Sequence, residues 1–165
     1  MDPAGPPAPL RDPRHRVSPR ARTLWWCVAA VEAVVVTAVL AVAVAMGWVP
    51  VPWWAVALVG LLLAAYAVGV PQWRYLVHRW EVTDTAVYTQ TGWWARERRI
   101  APMSRIQTVD HAEGALARLF RLATVTVTTA SAAGALAIEG LDRDVARALV
   151  DDLTRKADAV EGDAT

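Results

Sequence analysis

The sequence predicts an α+β protein: a two-helix membrane hairpin in its N-terminal half, then a small curved β-sheet head closed by a C-terminal helix. Three observations predict this. No charged residue occurs from Ala33 to Trp73, a stretch of about 40 residues, twice what one bilayer-crossing helix needs. The segment Gly47-Trp48-Val49-Pro50-Val51-Pro52 breaks that stretch in its middle. From Trp80 the apolar period changes from helical to two, and it becomes helical again over a long segment only near Asp142.

Residues 1–23 read as a disordered basic tail. They are rich in Pro, and Arg11, Arg14, Arg16, Arg20 and Arg22 outnumber Asp2 and Asp12. The first membrane helix is expected over 24–46 and the second over 53–73, joined by an extracytoplasmic turn at 47–52. Trp25 and Trp26, then Trp48, Trp53 and Trp54, then Trp73 fall at the edges of these spans, where indole rings favour the headgroup level. Arginines before the first span, and Arg74 and Arg79 after the second, flank the same side, while the turn is uncharged. The positive-inside rule therefore expects both termini in the cytoplasm of a bacterial inner-membrane protein. A cleaved signal peptide, with Ala43-Val44-Ala45 as its processing site, competes with this reading. Its apolar stretch would be longer than the usual 7–15 residues or so.

Within the spans, Glu32 lies about two turns inside the first helix. A carboxylate there calls for a partner, and an antiparallel neighbour places Tyr66 at a similar depth, so a Glu32–Tyr66 pair is expected. Gly60 with Ala64, and Ala65 with Gly69, are spaced for close helix approach. Cys27, the single cysteine, excludes an internal disulfide and a multi-cysteine metal site.

Residues 74–157 are expected to form a cytoplasmic head and 158–165 an acidic tail. Strands are expected at 80–83, 86–91, 94–100, 105–111, 123–130 and 135–139, with a short helix over Gly114–Phe120. Val125 and Val127 alternating with Thr124, Thr126 and Thr128 give the clearest strand. A last helix is expected from Asp142, as N-cap, to Ala157, with Val145, Leu149 and Leu153 as its apolar stripe and Ala146 and Val150 widening it. A meander of short strands closed by one amphipathic helix has the outline of a pleckstrin-homology (PH) type barrel.

Net charge is +1, so there is no overall basic signature for nucleic acid. His15, His78 and His111 lack partners at metal-ligand spacing, Ser104 and Ser131 lack a His/Asp companion motif, and no phosphate loop or dinucleotide fingerprint occurs. Asp142, Asp144, Asp151 and Asp152 fit a helix cap and a solvated face better than a cation site. Thus no catalytic residue, metal, cofactor or small-molecule substrate is expected. The remaining charged group is Arg96, Arg98, Arg99 and Arg105. Near an anionic leaflet it would be a lipid- or partner-facing strip; otherwise it is a solvated strand face paired to Glu81, Glu97 or Asp110.

Several runs carry a family resemblance: Arg105-Ile106-Gln107-Thr108-Val109, Gly114-Ala115-Leu116, Arg118-Leu119-Phe120 and Val125-Thr126-Val127-Thr128-Thr129-Ala130. Tyr88, Gly92 and Arg98 to Pro102 precede them. In this order they resemble the bacterial PH-like membrane proteins typified by YdbS, over nearly the whole chain. Two positions depart from that pattern: Arg121 stands where the family usually has Gly, and Ser131 ends a Thr-Ala-Gly-like turn. The resemblance implies a PH-like fold and a membrane-bound, non-enzymatic role. The expected function is a membrane-anchored interaction module, in envelope stress or antimicrobial resistance, with membrane lipid and a protein partner or a second copy as its contacts. An anionic-phospholipid-binding domain and a small transporter subunit are the alternatives.

Overall fold

The computed structural model describes residues 12–92, 94–130 and 134–162. After a two-residue strand β1 (His15–Arg16) come two long helices, α1 (Pro19–Ala45) and α2 (Trp53–Val77). The head follows: β2 (Arg79–Val82), β3 (Ala86–Thr91), β4 (Glu97–Pro102), a 3-10 turn at Met103–Arg105, β5 (Ile106–Ala112), α3 (Ala115–Leu119), β6 (Leu122–Thr129), β7 (Leu136–Asp142) and α4 (Arg143–Gly162). All pairing is antiparallel, in a four-stranded sheet β1-β2-β3-β4 and a three-stranded sheet β5-β6-β7. The expected α+β class and PH-like order are observed.

α1 and α2 are long and apolar enough to cross a membrane. Gly60 faces α1, where an added Cβ would lie 3.2 Å from Thr37 Cγ2, whereas Gly69 has nothing within 4 Å. Of the two glycines, only Gly60 therefore lies against the facing helix. Val56, Ala67 and Pro71 are buried along α2, while Leu58, Leu61, Leu62 and Val68 are exposed on its outer surface.

The head's core sits between the two sheets and α4. Val87, Ala101, Met103, Val125, Val127, Leu136, Ile138, Leu141, Ala146, Leu149 and Leu153 form it. The stripe of α4 is Ala146, Leu149 and Leu153. Val145, expected in that stripe, is 43% exposed, because the sheets meet the helix on the side one residue further round.

Several boundaries differ from the sequence expectation. Residues 12–23 are not a structureless tail: β1 pairs with β2, Val17 and Ser18 are buried, and α1 begins at Pro19. Residues 1–11 lie outside the described residues. α2 runs past Trp73 to Val77 even with Pro71 inside it. The strand expected at 94–100 begins at Glu97. α4 continues to Gly162, so 158–162 are helical, and the rest of the expected acidic tail, 163–165, lies outside the described residues.

Arg121 has φ 55°, the left-handed conformation that glycine adopts freely. Arg121 is thus a strained residue in the turn between α3 and β6. Arg121→Gly should stabilise the protein by about 0.5–1 kcal/mol, the relief of left-handed strain less the backbone entropy of glycine. Denaturant titration in detergent measures it.

Candidate functional site: the junction between head and hairpin

The junction is built from the segment before α1, the first turns of α1, the last turns of α2 and the near ends of both sheets. Ser18-Pro19 starts α1: Ser18 Oγ accepts from Arg20 N at 3.2 Å, and Pro19 takes the first helical position, where no N–H is needed. The same hydroxyl donates to Asp142 Oδ1 at 3.0 Å, and Arg20 Nη1 donates there at 3.1 Å. Asp142, expected as the cap of the last helix, is the final residue of β7, and its carboxylate turns to α1.

Beside it, Ser18 N donates to Gly140 O at 2.8 Å. Gly140 has φ +72°, and a Cβ there would stand 2.7 Å from Ala21 Cβ. The β6–β7 register shifts between Ala123 and Val125. Two residues of β7, Glu139 and Gly140, thus oppose one of β6, a bulge with glycine in the left-handed position. The bulge lets β7 touch the first turn of α1. Val17, Ala21 and Leu122 are buried there, with Leu24, Trp25, Tyr75, Trp80, Ala117 and Phe120 packed around them.

Polar groups tie the same region. Arg14 pairs with the buried Glu81, Nε to Oε1 at 3.5 Å. Asp12 pairs with Arg98, whose Nε donates to Gln90 Oε1 at 3.1 Å, and Gln90 Nε2 donates to Val77 O at 3.1 Å. The segment before α1, β4, β3 and the end of α2 are thereby linked in sequence.

A second cluster lies at the end of α2. Arg74 Nη2 bonds Glu139 Oε2 at 2.7 Å, and its guanidinium stacks 4.2 Å over the Trp25 ring. His78 Nδ1 lies 2.8 Å from Arg74 O and Nε2 lies 3.4 Å from Arg74 Nε, the pattern of a neutral ring with its proton on Nδ1. Burial, then the Arg74 charge, push the His78 pKa below 6.5, against the opposing pull of the Arg74 carbonyl and Glu139. A cavity of about 470 Å³ opens here, with Arg74, His78, Glu97, Arg99, Glu139 and Tyr66 among its walls. Its guanidiniums and carboxylates are paired, Arg74 with Glu139 and Arg99 with Glu97, the latter at 2.7 Å.

The lowered pKa has a sign. Above about pH 6.5 His78 is neutral both folded and unfolded, and its contribution to stability is complete. As pH falls through the folded pKa the unfolded chain already holds the extra proton, and stability is lost. Thermal stability should fall between pH 7 and 5, and His78→Asn, which keeps a donor for Arg74 O, should flatten that dependence.

The arginine group expected to form one strip is divided. Alternation along β4 sends Arg98 to Asp12 and Gln90 and sends Arg99 to Glu97 and, 3.2 Å from its Nη1, Ala135 O. Arg96 precedes β4 and Arg105 ends the 3-10 turn; both are exposed. Glu32 and Tyr66 both line a second cavity of about 290 Å³, with Trp25, Val28 and Arg74. Trp26 Nε1 donates to Val68 O at 3.2 Å, and Trp48, Trp53, Trp54 and Trp73 are exposed on the outer surface of the hairpin and its turn. Among the described residues no group of three His, Cys, Asp or Glu side chains is placed to hold a metal ion.

Sequence reasoning missed Arg14, Ser18 and Gly140. The Ser-Pro pair was a usable helix-start signal at Ser18, whereas the strand expected at 135–139 stopped one residue short of Gly140.

A head of two antiparallel sheets with a closing helix, fused through this junction to two apolar helices, defines a membrane-anchored PH-like protein. The family profile described as Bacterial PH domain matches residues 27–157, and the chain belongs to that family. The transmembrane protein YdbS of Bacillus subtilis (strain 168) is 31% identical over 158 residues, which cover 92% of this chain and 97% of YdbS. No solved structure matches the chain.

Proposed function

We propose that the protein is a membrane-anchored, non-catalytic interaction module at the inner face of the bacterial cytoplasmic membrane, with both termini in the cytoplasm. The head takes a protein partner, or a second copy, along the edge of β5. The observation that carries this is the open edge of the three-stranded sheet: β5 is terminal in the order β5-β6-β7 and exposes Gln107, Thr108, Asp110 and His111. An incoming strand can satisfy such a row of backbone groups. β4, the other inner edge, is less suited, since Pro102 lacks an N–H and Glu97, Arg98 and Arg99 line it. Anchoring raises the local concentration of the head, so a modest contact suffices. The ion pairs of Arg98 and Arg99 weigh against the anionic-lipid strip.

A photo-crosslinking residue at Gln107 or Thr108 in native membranes should give a defined adduct with a protein or a second copy. The same residue at Ala148 on the exposed side of α4 should not. Equal adducts at all three positions, or none, would contradict the proposal.

A further inference from the structure

We infer that α3 is a membrane-docking element, seating Leu116 and Leu119 in the headgroup and upper acyl region of the leaflet beside α1. Its five residues divide cleanly. Ala117 and the following Phe120 pack inward on Val17, Ala21 and Leu122. Leu116 and Leu119 face away, 58% and 77% exposed. In water two adjacent leucines so exposed on a rigid turn would be an unfavourable apolar patch.

Their depth names the occupant. Leu116 shares the walls of one cavity with Leu24, Trp25, Val28, Ala29 and Glu32 of α1, so α3 lies level with the first turns of a membrane helix. α1 has 27 residues, about 40 Å of helix against about 30 Å of hydrocarbon, so roughly 10 Å extends beyond it. The turn with Trp48, Trp53 and Trp54 fixes the far interface just beyond Ala45. Counting back about 20 residues from Ala45 reaches Trp25 and Trp26 at the near interface. α3 is therefore at the headgroup boundary.

Charge agrees with this placement. Arg118 and Arg121, both exposed, flank the leucines. Arg121 also lines a cavity of about 340 Å³ with Arg20, Thr23, Leu119 and Phe120, basic groups over an apolar floor. Leucines entering the acyl boundary with arginines at phosphate level is the chemistry of an interfacial helix. The inference is independent of whether β5 takes a partner, and it moves the head's lipid contact from the β4 arginines to α3.

The test uses the full chain in liposomes, with Cys27→Ser and single cysteines replacing Leu116, Leu119 or Thr108, each carrying a bimane label. Lipids brominated near the glycerol end of their chains should quench the label at 116 and 119 several-fold more than at 108. Quenching at 119 no greater than at 108 would overturn the inference, whether water or a second copy covers the face. A nitroxide at 119 gives a separate reading: greater access to oxygen than to a water-soluble nickel chelate is expected, and the reverse would also overturn it.

Discussion

Gly140→Val should be the most damaging single substitution at the junction, costing about 2–5 kcal/mol. Two effects add. A branched residue held at φ +72° carries roughly 1–2 kcal/mol of left-handed strain. Its Cβ would stand 2.7 Å from Ala21 Cβ, and both backbones are fixed, β7 by its pairing and Ser18 by its bond to Gly140 O. Overpacking of that kind costs about 1–3 kcal/mol. The damage should be localised. α1 would separate from β7, and limited proteolysis should cut between Arg14 and Arg20 before it opens the sheets. Gly69→Ala is the control: nothing lies within 4 Å of it, so it should leave stability unchanged or slightly raised. Equal tolerance of both substitutions would show that the head does not rest on α1 through the bulge.

Leu153→Ala should cost about 2–5 kcal/mol, the range for emptying a fully buried leucine site, since Leu153 is 0% exposed between α4 and both sheets. Val145→Ala, at a site 43% exposed, should change stability by less than about 0.5 kcal/mol. The contrast distinguishes the two stripes that α4 could present. Chemical denaturation of the full chain in detergent measures both. Comparable losses would mean that α4 docks on its Val145 side, as its spacing alone suggested.

The reason for that ambiguity is physical. Val145, Ala146, Leu149, Val150 and Leu153 cover an apolar arc wider than the contact beneath it, so period alone fixes the helix but not its rotation. The spans were legible because hydrocarbon demands a feature that few soluble sequences offer, a long stretch without charge. The central strands were legible where Val and Thr alternate, as in β6. Gly140 was missed for a local reason: a glycine in a strand can end it or make a bulge, and only the arrival of Ala21 from more than a hundred residues earlier decides between them. The segment before α1 was misread in the same way. Its Pro and Arg content resembles that of a disordered tail, but Arg14 answers the buried Glu81 and Val17 fills the space beside Leu122.

The junction gives the anchor a purpose beyond attachment. The segment before α1, α1 itself, β2, β7 and the end of α2 share ion pairs and a small apolar core. The orientation of the head is thus set by the helices and not left to a flexible linker. A head held in that way presents the β5 edge in a defined direction relative to the membrane plane.

The central claim is that this head stands on the cytoplasmic side of a two-helix anchor, and cysteine accessibility in intact cells tests it most directly. In a Cys27→Ser background, a cysteine replacing Pro50 in the turn and one replacing Thr108 on β5 are treated with a membrane-impermeant maleimide. The account predicts labelling at position 50 in intact cells and at position 108 only after permeabilisation. Labelling of position 108 in intact cells, with position 50 protected, would contradict it.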